Sequence, residues 1–215
     1  MNQAKHPDEN VLFIGRIVAS YSHEIKNILA IINESSGLMH DLITLKKEDL
    51  SEHTQRFAQT LEEIEEHVHR GQELSTHLNV LAHAPDKEVG GVDLGKSMQT
   101  VFDLTKRLVR NKSLSVKMHP LEGKLLITTR PLEFLHLIFC ALEWAMARSQ
   151  PGAEIVFQPQ GTEDGVHIEI TGWTEHDGQE DDVSHRLQRL AAVLQGACTV
   201  QQKALVMTLP EEIEA

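Results

Sequence analysis

The sequence is short of positive charge: 20 lysines and arginines stand against 32 aspartates and glutamates, a formal charge of −12 over 215 residues. A protein held to duplex DNA by phosphate contacts needs the opposite balance, so no nucleic-acid partner is expected. Cysteine is nearly absent. Cys140 and Cys198 cannot build a disulfide framework, and both lie among apolar residues, so they are expected to be buried thiols. No apolar run approaches the roughly 18 residues that a membrane span requires, and no membrane partner is expected. The opening Met-Asn-Gln-Ala-Lys-His-Pro-Asp-Glu-Asn has no apolar signal core, which makes a cytoplasmic location the expectation. What remains is 40% apolar and 24% charged, the composition of an ordinary globular chain with enough apolar mass for a core.

The pattern changes partway along. Between residues 11 and 45 the apolar positions Ile14, Val18, Tyr21, Ile25, Ile28, Ile32, Met39 and Leu42 recur at intervals of four and three, with Ser35 in the one gap. That is a heptad seam on a long helix. A polar break follows, with Ser51 as a candidate cap. A second run, Phe57, Leu61, Ile64, Val68, Gly71, Leu74, Leu78 and Leu81, carries an acidic outer face at Glu62, Glu63, Glu65 and Glu66. Two such helices make an αα-hairpin that cannot cover its own stripes. A two-fold copy would complete a four-helix bundle, so a homodimer is expected, with packing on the rest of the chain as the alternative.

Ala84-Pro85 through Gly90-Gly91 reads as a linker. Beyond it, helices are expected over 93–110, 131–148 and 184–194. Strands are expected over 114–118, 125–128, 153–158, 166–171, 199–202 and 205–209. Helices mixed with an antiparallel or mixed sheet indicate a two-layer α/β sandwich. The fold class is therefore α+β: a long αα-hairpin over residues 1–86, forming a dimeric bundle, then an α/β sandwich over 90–215.

The segment Tyr21-Ser22-His23-Glu24-Ile25-Lys26-Asn27-Ile28 resembles the phospho-acceptor box of two-component sensor histidine kinases, with a histidine, an acid, and a small polar residue one turn later. The resemblance extends over nearly the whole chain. It implies that the hairpin is a dimerisation and histidine-phosphotransfer unit and that the sandwich descends from the kinase ATPase domain. It also implies partners, the receiver domains of response regulators.

The nucleotide motifs of that family are missing. Aligned on Ala145 and Pro151-Gly152, the acid position is Glu143, but the magnesium-holding asparagine falls on Trp144 and an earlier asparagine on Cys140. The adenine-reading aspartate falls on Gly172, and the glycine-rich lid is replaced by Asp181-Asp182-Val183-Ser184-His185-Arg186-Leu187. Tryptophan offers magnesium no oxygen, and a loop without glycine brings no bare backbone N–H groups to a triphosphate. Asp181 and Asp182 would repel one. No ATP or other cofactor is expected, and Trp144 and Trp173 are expected to fill the vacated space as core.

In the box, His23 stands about 200° from Tyr21 at about 100° per residue, off the seam and toward solvent. A neutral imidazole near pH 7 offers a nucleophilic nitrogen to an aspartyl phosphate. Glu24 is expected to orient the ring or stabilise the phosphoimidazole, and Lys26 to offset phosphate charge. Asn27, one turn beyond His23, is expected to bind a phosphate oxygen or a water. The other histidines show no ligand spacing, so no metal site is expected. The leading expectation is a histidine phosphotransfer protein. An ATP-dependent kinase fragment and a non-catalytic regulator-binding scaffold are the alternatives.

Overall fold

The computed structural model describes residues 9–45, 54–121, 123–173, 182–201 and 204–214, without the side chains of residues 45, 182 and 183. Two long helices come first, α1 (Glu9–Leu45) and α2 (Thr54–His83), followed by a 3₁₀ turn at Ala84–Asp86. The sandwich then runs β1 (Gly90–Asp93), α3 (Leu94–Asn111), β2 (Ser115–Met118), β3 (Leu126–Thr129), α4 (Pro131–Ala147), β4 (Glu154–Thr162), β5 (Gly165–Thr171), α5 (Asp182–Val193), β6 (Ala197–Gln201) and β7 (Ala204–Pro210). The expected cap Ser51 lies outside the described residues.

Five strands form one sheet in the order β2-β4-β5-β7-β6, with β2 parallel to β4 and the other pairs antiparallel. The expected linker is partly structured. Its last two residues, Gly90 and Gly91, open β1, which pairs antiparallel with β3 in a separate two-stranded sheet. A four-residue strand containing two glycines offers no alternation to read in sequence, which is why it looked like a linker.

Local signals set several boundaries. Asp93 caps α3 by accepting the Lys96 backbone N–H at 3.1 Å. Pro131 sits in the first turn of α4, where its missing N–H costs nothing. Gly165 and Gly172 have φ of +146° and +99°, and a side chain at Gly172 would overlap the Glu154 carbonyl.

Helix α4 is apolar nearly all round and buried nearly all round, with Phe134, Leu137, Ile138, Phe139 and Leu142 inaccessible. Its neighbours explain this. Phe157, Ile155, Ile168 and Ile170 of the sheet belong to the same core, and Phe13 and Ile17 of α1 join it. The Phe13 ring stacks on His136 at 4.7 Å and lies 5.1 Å from Phe139. His136, buried in α4, shares a 2.8 Å hydrogen bond with the Asn10 side chain. The hairpin thus packs on the sandwich of its own chain, the alternative weighed above. The buried residues of α1 are Phe13, Ile17, Ser20, Glu24, Ile28 and Ser35; of these Ile28 and Ser35 belong to the expected seam and meet α2, at Gly71 and Glu63, while the seam residues Ile14 and Tyr21 are half-buried against the main core.

Both cysteines are free, Cys140 buried and Cys198 half-buried. Burial pushes their thiols up, to about 12 and about 11. Among the described residues no helix is long and apolar enough to cross a membrane.

Candidate functional site

The four box residues lie on the middle of α1, where a continuous helix fixes their relative directions. His23, Lys26 and Asn27 are exposed, and His23 and Asn27, one turn apart, share a solvent-facing sector. Glu24 points elsewhere. Its side chain is only 11% exposed, and its carboxylate accepts hydrogen bonds from Arg70 of α2 and from Arg110 of α3, the latter at 3.1 Å. Consecutive helical residues diverge by about 100°, so a carboxylate aimed into the hairpin–α3 junction is turned from the neighbouring imidazole. In this geometry Glu24 is held by two guanidiniums and makes no hydrogen bond to His23.

Sequence reasoning missed both arginines. Arg70 is an isolated cation in the acidic stretch of α2, and it falls opposite Glu24 once the hairpin is folded in register. Arg110 is remote in sequence, and its role depends on how the hairpin docks. The same junction holds His77, whose Nδ1 lies 3.1 Å from the Thr100 hydroxyl and whose Nε2 lies 3.1 Å from the Asp103 carboxylate. Together, Glu24 and His77 tie both hairpin helices to α3, on a sector of α1 about 60–100° from Asn27 and His23.

Where the sequence resemblance expects the magnesium-holding asparagine, Trp144 is buried and meets Trp173 edge-on with ring centroids 4.8 Å apart. Trp144 donates its indole N–H to the Ser184 hydroxyl at 3.0 Å, and the Arg148 guanidinium lies 4.2 Å over its ring. Glu143 pairs with Arg16 of α1 and faces Arg186 of α5 at 3.9 Å. Burial raises the pKa of its carboxyl above the ordinary value, opposed by the two arginines. Arg16 is another residue the sequence did not single out, because the docking of α1 on α4 brings it there. Asp181 lies outside the described residues, as does the Asp182 side chain. Among the described residues no group of three or more histidine, cysteine or acidic side chains is arranged to hold a metal.

No protein-family model matches the sequence, and no characterised protein matches it by sequence. Solved structures do match the fold. The catalytic domain of histidine kinase ThkA superposes with a TM-score of 0.51 at 10% identity, covering 60% of this chain and 100% of that one. The Acinetobacter baumannii histidine kinase AdeS gives a TM-score of 0.51 at 13% identity, covering 88% of this chain and 98% of that one. The second match takes in helical hairpin as well as sandwich. The protein is therefore histidine-kinase-like in fold.

Proposed function

We propose that this protein is a histidine phosphotransfer protein, relaying phosphoryl groups to and from response-regulator aspartates through His23, on a kinase-like fold whose ATP site has been lost. Residues 1–86 form the dimerisation and phosphotransfer unit, and residues 90–215 the ATPase-derived unit. The observation that carries the reading is the contrast between two sites. His23 is exposed at mid-helix, while Trp144 and Trp173 meet where the sequence resemblance puts the nucleotide motifs.

Transfer is a displacement at phosphorus. An imidazole nitrogen of His23 forms a P–N bond as the acyl P–O bond of the regulator's aspartyl phosphate breaks, and the aspartate leaves as carboxylate. The reverse step passes the phosphoryl group on. Asn27, one turn along the exposed sector from His23, is expected to bind the phosphoryl oxygens, and Lys26 to add positive charge nearby. Glu24 acts as a positioning residue, holding the box through Arg70 and Arg110. The dimer is supported by a second apolar stripe on α1 that stays uncovered in the single chain, with Val11 61%, Leu29 59% and Ile43 54% exposed.

The test is a pair of labelling experiments on the full chain: one with radiolabelled ATP and magnesium, the other with a phosphorylated receiver domain. Label is expected from the receiver alone, and His23→Gln is expected to abolish it while leaving the circular dichroism spectrum unchanged. Labelling from ATP would overturn the relay reading in favour of a kinase. Labelling from neither, with receiver binding intact, would leave a scaffold.

A further inference from the structure

The strand β2 is an edge of the five-stranded sheet, and among the described residues nothing pairs on its outer side. Its hydrogen bonds to the β4 strand and its flanks leave from alternate residues. Ser115 N–H donates to the Ala153 carbonyl at 3.1 Å, and His119 N–H to the Phe157 carbonyl at 2.9 Å. The alternation of a parallel ladder then directs the N–H and C=O groups of Val116 and Met118 outward, to the open edge. Between this edge and α3 lies a cleft of about 350 Å³, floored by Phe102, Val109, Leu114, Val116 and Met118.

The charge around the cleft is unusual for this chain. Lys106, Arg107, Arg110, Lys112 and Lys117 fall between Leu104 and Pro120 with no acid among them, in a protein of formal charge −12. Lys106 and Arg110 line the cleft itself, Arg110 with its guanidinium on Glu24 at 3.1 Å; Asp103, the acid there, is engaged by His77 at 3.1 Å and by Gln99 at 2.9 Å. One lysine is enough to keep an edge strand from pairing with its own copy. The run of five does more: it disfavours a second copy of this basic edge and favours an acidic chain.

We propose that the α3–β2 cleft is a docking site for an extended acidic peptide segment of a partner protein, which adds to β2 as a sixth strand. Alternate side chains of that segment are apolar and rest on the floor of the cleft. The intervening ones are aspartate or glutamate and meet Lys117 on the outer face and Lys106 at the rim. Backbone pairing supplies affinity, and the charge pattern supplies selection. The site does not depend on the chemistry of His23.

The experiment is selection of random nonapeptides displayed on phage against the full-length protein, followed by hydrogen exchange with the winning synthetic peptides. Selected peptides are expected to alternate apolar with acidic residues, to slow exchange at the Val116 and Met118 amides, and to bind more weakly as salt rises. Lys106→Glu combined with Lys117→Glu, two exposed positions whose change spares the core, is expected to weaken binding about tenfold or more. The same double variant is expected to accept phosphate from a receiver as the parent does, which separates this site from the relay. Failure to select any peptide, selection of sequences without acids, protection confined to α1 or α2, or affinity unchanged in the double variant would each overturn the proposal.

Discussion

Replacing Glu24 by glutamine keeps the shape of the side chain and removes its charge, leaving Arg70 and Arg110 facing a neutral amide. The expected cost lies between two limits. Removing one partner of a fully buried ion pair costs about 3–5 kcal/mol, and removing one from a surface pair about 0.2–1 kcal/mol. Here the carboxylate is 11% exposed, but the arginine side chains are 34% and 52% exposed and can rehydrate. The penalty should therefore be about 1–2 kcal/mol, which for a chain of this size lowers Tm by about 3–6 °C.

A double-mutant cycle apportions the loss. Arg70, the less exposed guanidinium, should couple to Glu24 by about 1 kcal/mol, and Arg110 by about half that. Both couplings should persist at high salt, since the shared acid is shielded from ions. Differential scanning calorimetry and urea titration of the single and double variants supply the numbers. A Tm within about 1 °C of the parent for Glu24→Gln, or strictly additive effects in both cycles, would refute the reasoning: Glu24 would then be no clamp between hairpin and sandwich.

Two further outcomes are expected. Gly172→Asp, which restores the acid that reads adenine in the resembled kinases, should not create ATP binding and should destabilise by about 3 kcal/mol or more, because φ of +99° and the Glu154 carbonyl leave no room for a Cβ; urea titration and an ATP thermal-shift assay check it, and a folded, ATP-stabilised variant would contradict it. Glu143 supplies a pH dependence: its folded pKa is raised, so the native state takes up a proton at higher pH than the unfolded chain, and its contribution to stability falls as pH rises through the interval above 4.5. Glu143→Gln should flatten the slope of unfolding free energy between about pH 5 and 8, and an unchanged slope would count against the burial of that acid.

Much of the fold was legible because it rests on periodicity. The hairpin helices, α3, α4, α5 and six of the seven strands announce themselves by spacing of 3.6 or 2 and by Pro, Gly and Asp at their ends. The exception, β1, is set by pairing with β3 rather than by its own residues. The site was legible only in part. His23 and Asn27 are local features of one helix, and their exposure follows from its phase. The partners of Glu24 and Glu143 are long-range, and no local pattern forecasts that Arg70 and Arg110 converge on one carboxylate, or that Arg16 reaches α4. Docking of the hairpin decides those contacts, and it shifts the buried face to one edge of the seam: Ile28 and Ser35 of the seam are buried, and so are Ser20 and Glu24, which a search for apolar repeats passes over.

That offset has a consequence for the first helix. Measured from Val18 at about 100° per residue, the buried face centres near −110°, through Phe13 and Ile17 in the main core, Glu24 on Arg70 and Arg110, and Ile28 against Gly71 of α2. Val11, Ile25, Leu29 and Ile43 fall within about 20° of zero, and Ile14 and Ile32 near −40°. His23 and Asn27 lie at about 140° and 180°. The apolar arc is thus wider than one helix–helix contact covers, and α2 and the sandwich together take only one edge of it. The uncovered edge, with Val11 and Leu29 mostly exposed, needs a second apolar partner to leave water. A partner seated there still leaves the His23–Asn27 sector, roughly half a turn away, open to a third. Three sectors of one helix are therefore distinct, one packed on α2 and the sandwich, one apolar and exposed, and one carrying His23 and Asn27, and a substitution in one sector is expected to spare the other two.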